Sequence, residues 1–303
     1  MKSDFDTLIV EDYDSDDEYI TTTNKDAKEV KVKEVKIKVK DEKIKKGKEM
    51  EGIEGIEEGT KKVNNYVRVR EISSLLKYYN EDDNTFEIGV DEAGRGPLFG
   101  RVYTAAVILP KDDSFDFSKM KDSKKFHSKK TIEKVANYIK ENALAWYVSY
   151  ESEKVIDEIN ILQATQKSFT TSILEIRKNV KKDMSAKNKI EDVDFKFHVL
   201  VDGNYFNPIV YKNNITNKMT NLNHVCIEGG DNKYCSIAAA SILAKVERDK
   251  YIEELCIENP DLIEKYDIDS NKGYGAKKHI DGIIEHGITV WHRRTFGICK
   301  KYV

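Results

Sequence analysis

The chain reads as an α/β protein, a sheet with helices packed against it, and three features predict that class. Short apolar runs open the globular part, strand-like and helix-like segments then alternate, and three of the strand-like runs close on acidic residues.

"FEIGVDEAG" (86–94) and "VYTAAVILP" (102–110) are short apolar runs that read as buried strands. "SKKTIEKVANYIKENA" (128–143) spaces its apolar residues at helical intervals, with Ser128 placed to cap it. "LAWYVSYES" (144–152) reads as a strand, and "INILQATQKSFTTSILEIRKNV" (159–180) has helical spacing of Ile, Leu and Phe. The polar stretch 181–195 reads as a loop. "KFHVLVDG" (196–203) is again an apolar run ending in an acid, and "NHVCIEGGD" (223–231) repeats that pattern. A long helix is predicted through "SIAAASILAKVERDKYIEELC" (236–256), whose small apolar start suits close packing on a sheet.

These elements belong to one globular unit over residues 66–303. A chain of 303 residues allows one large domain or two small ones, and 39% apolar residues support a core. The 35% charged content is high because much of it lies at the N-terminus. Residues 1–20 hold Asp4, Asp6, Glu11, Asp12, Asp14, Asp16, Asp17 and Glu18 against Lys2 alone, and residues 25–49 are lysine-rich. Residues 1–65 therefore read as a low-complexity, disordered extension, too poor in apolar surface to offset the entropy of ordering. Within it "VKVKEVKIKVK" alternates like an edge strand. The net charge of −3 averages these opposed blocks and says little about partners.

Cys226, Cys235, Cys256 and Cys299 form no C-x-x-C pair, so reduced thiols are expected rather than disulfides or a zinc site. No apolar run approaches the roughly 20 residues that span a bilayer. The acidic N-terminus lacks the apolar core of a signal peptide. A soluble, cytoplasmic monomer with no membrane partner is expected.

The chemistry concentrates at the acid-terminated runs. If those strand ends converge, Asp91, Glu92, Asp202 and Asp231 share one small volume. Such carboxylates cannot all stay ionised unaided. Two divalent ions are the standard remedy, and an oxygen-only donor set suits Mg²⁺ or Mn²⁺. Each acid alone is equally a turn or cap residue, as Asp202–Gly203 illustrates. "AGRGP" (93–97) follows the first acid pair directly, and its amides can turn toward an oxygen atom because glycine allows close backbone approach. It is not a P-loop, lacking the required Lys and Ser/Thr. The lysines at 121, 124, 125, 129 and 130 form a basic cluster suited to phosphate or to a solvated helix start. Arg293 and Arg294 read either as phosphate contacts or as C-terminal packing. His279 reads as structural, and Asp249 as a salt-bridge partner on its helix.

Taken together, "DEAGRGPLFG" (91–100), "DSKKF" (122–126), "INILQAT" (159–165), "LVDGN" (200–204), "GGDNKYCSIAAASILAKVERD" (229–249), "GYGAKKH" (273–279) and "HGITVWHRRTFG" (286–297) resemble, in order, the bacterial type of ribonuclease HII. The resemblance covers residues 86–298. It implies a ribonuclease-H-like mixed sheet flanked by helices, with a C-terminal helical portion. It also implies endonucleolytic cleavage of RNA in RNA–DNA hybrids and incision 5′ of single ribonucleotides embedded in duplex DNA. The family's metal-binding acids match Asp91, Glu92, Asp202 and Asp231, and two Mg²⁺ or Mn²⁺ ions are implied there. The motif that reads the 2′-hydroxyl matches Gly94, Arg95 and Gly96, and the substrate-sensing tyrosine matches Tyr274. Lys124 and Lys125 are expected at the substrate. The chain departs from the family where Gly229 replaces the usual lysine, at Phe99 and Arg101, and in a longer segment between Asp202 and Asp231. A ribonuclease HIII-type nuclease and a non-catalytic hybrid-binding subunit are the rival readings.

Overall fold

The computed structural model describes residues 8–10, 75–80, 82, 84–188, 195–213 and 216–303. The described residues fall in one compact unit, and the other unit, Glu34–Ser74, lies outside them. So does the alternating "VKVKEVKIKVK" segment.

The strands are β1 (Leu8–Val10), β2 (Thr85–Ala93), β3 (Val102–Ile108), β4 (Ala145–Glu151), β5 (Lys196–Asp202), β6 (Ile209–Asn213), β7 (Lys218–Asn221) and β8 (Asn223–Ile227). The helices are α1 (Lys129–Asn142), α2 (Glu153–Asn188), α3 (Cys235–Glu258), α4 (Asp261–Tyr266), α5 (Ile268–Asn271) and α6 (Lys277–His286). Five strands form the central sheet in the order β4–β3–β2–β5–β8. β2, β5 and β8 are mutually parallel, and β3 is antiparallel to both of its neighbours. β6 and β7 form a hairpin in the long segment between Asp202 and Asp231, with β1 parallel to β6.

Helices cover both faces of the sheet. β3 shows why, because all seven of its residues are buried. Ala105 and Val107 face one cluster, with Ala238, Ala239, Ile242 and Leu243 of α3 and with Ile132, Ala136 and Ile139 of α1. The alternate residues Ala106 and Ile108 face the other, with Phe169, Ile173 and Ile176 of α2 and Val199 and Val201 of β5. This period of two is the pleat of a strand buried on both sides. Each large aliphatic side chain so buried contributes about 1.5–3 kcal/mol.

The predicted strands and long helices fall within a few residues of the observed ones. Three differences have physical causes. α2 starts earlier than expected and breaks at Asn160, whose φ of 67° leaves the helical region while its side chain accepts the Gln163 N–H at 3.1 Å. The same helix runs on to Asn188, into the stretch expected to be a loop. β8 ends at Ile227, so Asp231 stands not on a strand but on a one-turn 3₁₀ helix, Gly230–Asn232, reached through a left-handed Gly229.

α3 lies so close to β2 that a Cβ on Gly89 would come within 2.2 Å of the Ser236 carbonyl carbon. Beyond α3, the C-terminal helices pack on its last turns through Phe99, Tyr251, Ile252, Leu255, Leu262, Tyr266 and Ile283. That cluster fixes the turn between α5 and α6, which carries Tyr274.

Candidate active site

Register brings the acids together. Val90 pairs with Val201, so Asp91 and Asp202 follow on adjacent parallel strands at the same end of the sheet. Asp202 in turn pairs with Ile227, the last residue of β8, and the chain then turns through Gly229 to Asp231. The turn is held to the strand, since Asp202 Oδ1 accepts the Gly230 N–H at 2.6 Å. The site thus lies at the carboxyl ends of β2, β5 and β8, where parallel strands release their connecting loops. α3 begins just past Asp231 and carries the Ser241 hydroxyl to Asp91.

The acids feel one another. Burial pushes the Asp91 carboxyl well above the usual range, and the charges of Glu92 and Asp202 push it further, while the Ser241 hydroxyl and the Glu92 N–H oppose them. Burial likewise raises Glu92, offset by Arg95, whose Nη1 lies 3.3 Å from Glu92 Oε1. Asp231 is raised by burial and then by Asp202 and Asp122. Lys124 is the shared counter-charge. Burial works against its ammonium, yet the fields of Asp231, Asp122, Asp91 and Asp202 hold its pKa above the ordinary value. Its Nζ stands 3.7 Å from Asp231 Oδ2.

Lys124 and Lys125 sit on a one-turn 3₁₀ helix capped by Asp122, whose Oδ1 accepts the Lys124 N–H at 2.8 Å. Asn232 ties that turn to the acids, because its Nδ2 donates to Asp231 Oδ1 at 3.1 Å and to Asp122 Oδ2 at 3.2 Å. The Lys125 ammonium donates to Asn232 Oδ1.

Among the described residues, no three His, Cys, Asp or Glu side chains are gathered closely enough to hold a metal ion as they stand. The donor chemistry nevertheless fits a hard divalent ion. Burial and neighbouring carboxylates raise Asp91, Glu92 and Asp231, Lys124 is the counter-charge beside them, and the four acids offer neither sulfur nor imidazole. Asp91, Glu92, Asp202 and Asp231 are the residues that would hold it.

The glycine loop is set from beneath. Arg293, fully buried, donates from Nη2 to Gly94 O at 2.6 Å, from Nη1 to Arg95 O at 3.0 Å and Pro97 O at 2.9 Å, and from Nε to Gly100 O at 2.8 Å. Carbonyls turned inward leave the amides of Arg95 and Gly96 to the outer face. Gly94 has φ +93°, and a Cβ there would come within 2.2 Å of Arg248 Nε, so no other residue fits. Arg248, also buried, donates to Lys272 O at 2.9 Å and so links this loop to the next turn. Tyr274 is half exposed at 50%, and its Cε1 lies 3.6 Å from where a Gly96 Cβ would be.

Arg293 is therefore packing and not a phosphate contact, whereas Arg294 is exposed. Asp249 pairs with Lys245 at 2.6 Å, as expected. Sequence reasoning missed Ser241, Asp122, Asn232 and the structural part of Arg248, and for Arg293 it left packing as one of two readings. Ser241 alone carried a signal, as a hydroxyl inside the apolar run "IAAASILAK".

A mixed five-stranded sheet clad by helices, with carboxylates gathered where its parallel strands end, defines a ribonuclease-H-like protein. The chain belongs to the ribonuclease HII family, whose model matches residues 88–299. A ribonuclease HII of Bacteroides thetaiotaomicron is 43% identical over 224 residues, 74% of this chain and 94% of the relative. One of Phocaeicola vulgatus is 41% identical over 228 residues, with the same coverage of 74% and 94%. The structure of Bst-RNase HIII in complex with Mn²⁺ aligns with a TM-score of 0.51 at 16% identity, covering 72% of this chain and 69% of that one, a likeness of fold. The chain is a ribonuclease H, a metal-binding endonuclease of the hydrolase class that acts on RNA–DNA hybrids. No helix among the described residues is long and apolar enough to cross a membrane.

Proposed function

We propose that this ribonuclease H incises duplex DNA on the 5′ side of a single embedded ribonucleotide, as well as RNA within hybrids, leaving a 3′-hydroxyl and a 5′-phosphate. The observation that carries this is the meeting of Asp91, Glu92, Asp202 and Asp231 around Lys124 at one end of the sheet. In this reading the four carboxylates hold two divalent ions, Mg²⁺ or Mn²⁺. Bound there, such ions activate a water and offset charge on the leaving oxygen.

The remaining work falls to the chain itself. Asp91, the most deeply placed of the strand-end acids, anchors the cluster, with Ser241 and the Glu92 amide orienting its oxygens. Lys124 and Lys125 face incoming phosphate oxygens, and Lys124 trades its acid neighbours for substrate when charge is neutralised there. The outward amides of Arg95 and Gly96 meet the 2′-hydroxyl, the one group that separates RNA from DNA at a single position. The exposed Tyr274 ring lies over Gly96 and packs on the sugar that follows. Residues 66–303 suffice for cleavage, and residues 1–65 are an accessory extension.

The test is a labelled duplex with one ribonucleotide, incubated with the full chain and with a chain truncated before residue 66, in Mg²⁺, Mn²⁺ or EDTA. Nicking 5′ of the ribonucleotide by both proteins in either metal, and none in EDTA, is the expected result. Cleavage of long hybrids alone would limit the activity to the hybrid nuclease. Metal-independent cleavage would remove the carboxylate role.

A further inference from the structure

The gauge just described has two halves, the Gly94–Gly96 loop and the Tyr274 turn, and two histidines are buried between them. His279 on α6 and His292 in the C-terminal segment have 0% and 1% exposure, and their Nε2 atoms are 3.0 Å apart. Each remaining ring nitrogen meets a backbone group. His292 Nδ1 accepts the Thr289 N–H at 2.9 Å with the Thr289 hydroxyl beside it at 2.8 Å, and His279 Nδ1 lies 2.8 Å from Tyr274 O.

Those two backbone groups have fixed polarity, and that determines the protons. An N–H only donates, so His292 Nδ1 is bare and its proton is on Nε2. A carbonyl only accepts, so His279 Nδ1 carries the proton and its Nε2 is bare. His292 Nε2–H then donates to His279 Nε2, and one neutral arrangement satisfies the whole chain from Thr289 to Tyr274. A proton added to either ring would set two N–H groups against each other.

The pair also touches the other half of the gauge. The Phe99 ring, fully buried, packs edge-on against His292 at 5.1 Å between centroids. Phe99 forms a β-bridge with His292, and the adjacent Leu98 N–H donates to Gly273 O at 2.8 Å. His292 is followed directly by Arg293, which holds the loop carbonyls. The histidines thus lie in core that both substrate-checking segments share, as Arg248 does, while their rings are sealed from solvent.

We propose that His279 and His292 are positioning residues for ribonucleotide recognition. As a neutral, single-tautomer relay they clamp the Tyr274 carbonyl and set the Tyr274 ring at its working height over Gly96. The inference rests on the reading of Tyr274 as a substrate gauge. Displacements of about 1 Å in such a positioning contact can cost about 100-fold in rate, and the cost should fall on the substrate that needs the gauge most.

The test measures kcat/KM on a single-ribonucleotide duplex and on a continuous hybrid for the wild type, Tyr274→Ala, His279→Leu, His279→Asn and the Tyr274→Ala/His279→Leu pair. Tyr274→Ala is expected to lower the single-ribonucleotide value relative to the hybrid by about tenfold. His279→Leu should reproduce that selective loss. His279→Asn, whose amide can replace the Nδ1–H donor, should recover most of it, and the double variant should be no worse than Tyr274→Ala. Equal losses on both substrates, or losses that add, would overturn the proposal while leaving the Tyr274 reading intact. An unchanged ratio in Tyr274→Ala would remove the reading itself. Nitrogen-15 spectra of the wild-type histidines need no variant to fold. They should show His292 protonated on Nε2 and His279 on Nδ1 at neutral pH, and any other pattern overturns the relay.

Discussion

Asp91 concentrates the cost of the site in one residue. It is buried, it sits beside two other acids, and its carboxyl is raised well above the ordinary range. A raised carboxyl stabilises the fold fully below the unfolded value near 3.8, and that contribution is lost as pH rises through the folded value. At neutral pH without metal, Asp91 therefore destabilises the protein. Asp91→Asn should lower cleavage by about a thousandfold or more, as loss of a metal-bearing group does. It should also raise the unfolding midpoint in EDTA, by about 2–4 °C for each kcal/mol recovered. Nicking assays and thermal melts on the same preparation check both halves, and retained cleavage would end the metal role. Arg293 makes the opposite case, a buried cation satisfied wholly by carbonyls. A lysine keeps the charge but cannot span Gly94, Arg95, Pro97 and Gly100. Arg293→Lys should cost about 3 kcal/mol through the donors it fails to replace, read from urea unfolding. A variant as stable as the wild type would contradict this account of the loop.

Among elements, the contact of β2 with α3 matters most, because α3 follows the Asp231 turn and brings Ser241 to Asp91. Gly89 permits that contact, since a Cβ there would meet Ser236 C at 2.2 Å and Ile237 N at 2.5 Å, both backbone atoms that cannot swing aside. Gly89→Ala should destabilise by about 3 kcal/mol, the upper end for overpacking, and lower cleavage as well, because the helix must move with the site. Denaturant unfolding beside a kinetic assay checks it, and full activity at wild-type stability would show that the two elements can part freely. The same elements show what the sequence made legible. β2, β3 and β5 were readable because burial on both faces demands unbroken apolar runs, and the acids stood out because they end such runs. The β6–β7 hairpin was not, since "KMTN" is polar and short and its partner strand has five residues. Asp231 was placed on a strand because Gly229 and Gly230 do not announce a 3₁₀ turn. Arg248 was hidden, and Arg293 left between two readings, for a deeper reason. Charged side chains read as surface, and their partners here are carbonyls, which every residue carries alike.

Over the whole molecule, two buried groups of ionisable residues pull stability in opposite directions along the pH axis. Asp91, Glu92 and Asp231 are all raised, by burial first, so each loses its contribution as pH climbs above about 4. His279 and His292 are lowered, again by burial first, and His292 is pulled down to about 3. A histidine lowered in the fold binds its proton more readily once unfolded, so stability falls as pH drops below about 6.5, by up to about 1.4 kcal/mol per pH unit for each proton taken up. Metal-free protein should therefore be most stable in mildly acid solution and should weaken on both sides. The two flanks have separate molecular causes and respond to separate treatments. Divalent metal neutralises the carboxylates alone, so the rise in unfolding midpoint caused by Mn²⁺ should be larger at pH 8 than at pH 5. His292→Gln should flatten the acid flank alone, leaving the metal response unchanged. Thermal melts from pH 4 to 8, with EDTA or Mn²⁺, separate the two. A metal-induced shift that is the same at every pH would mean that the strand-end acids carry no shared charge for an ion to relieve.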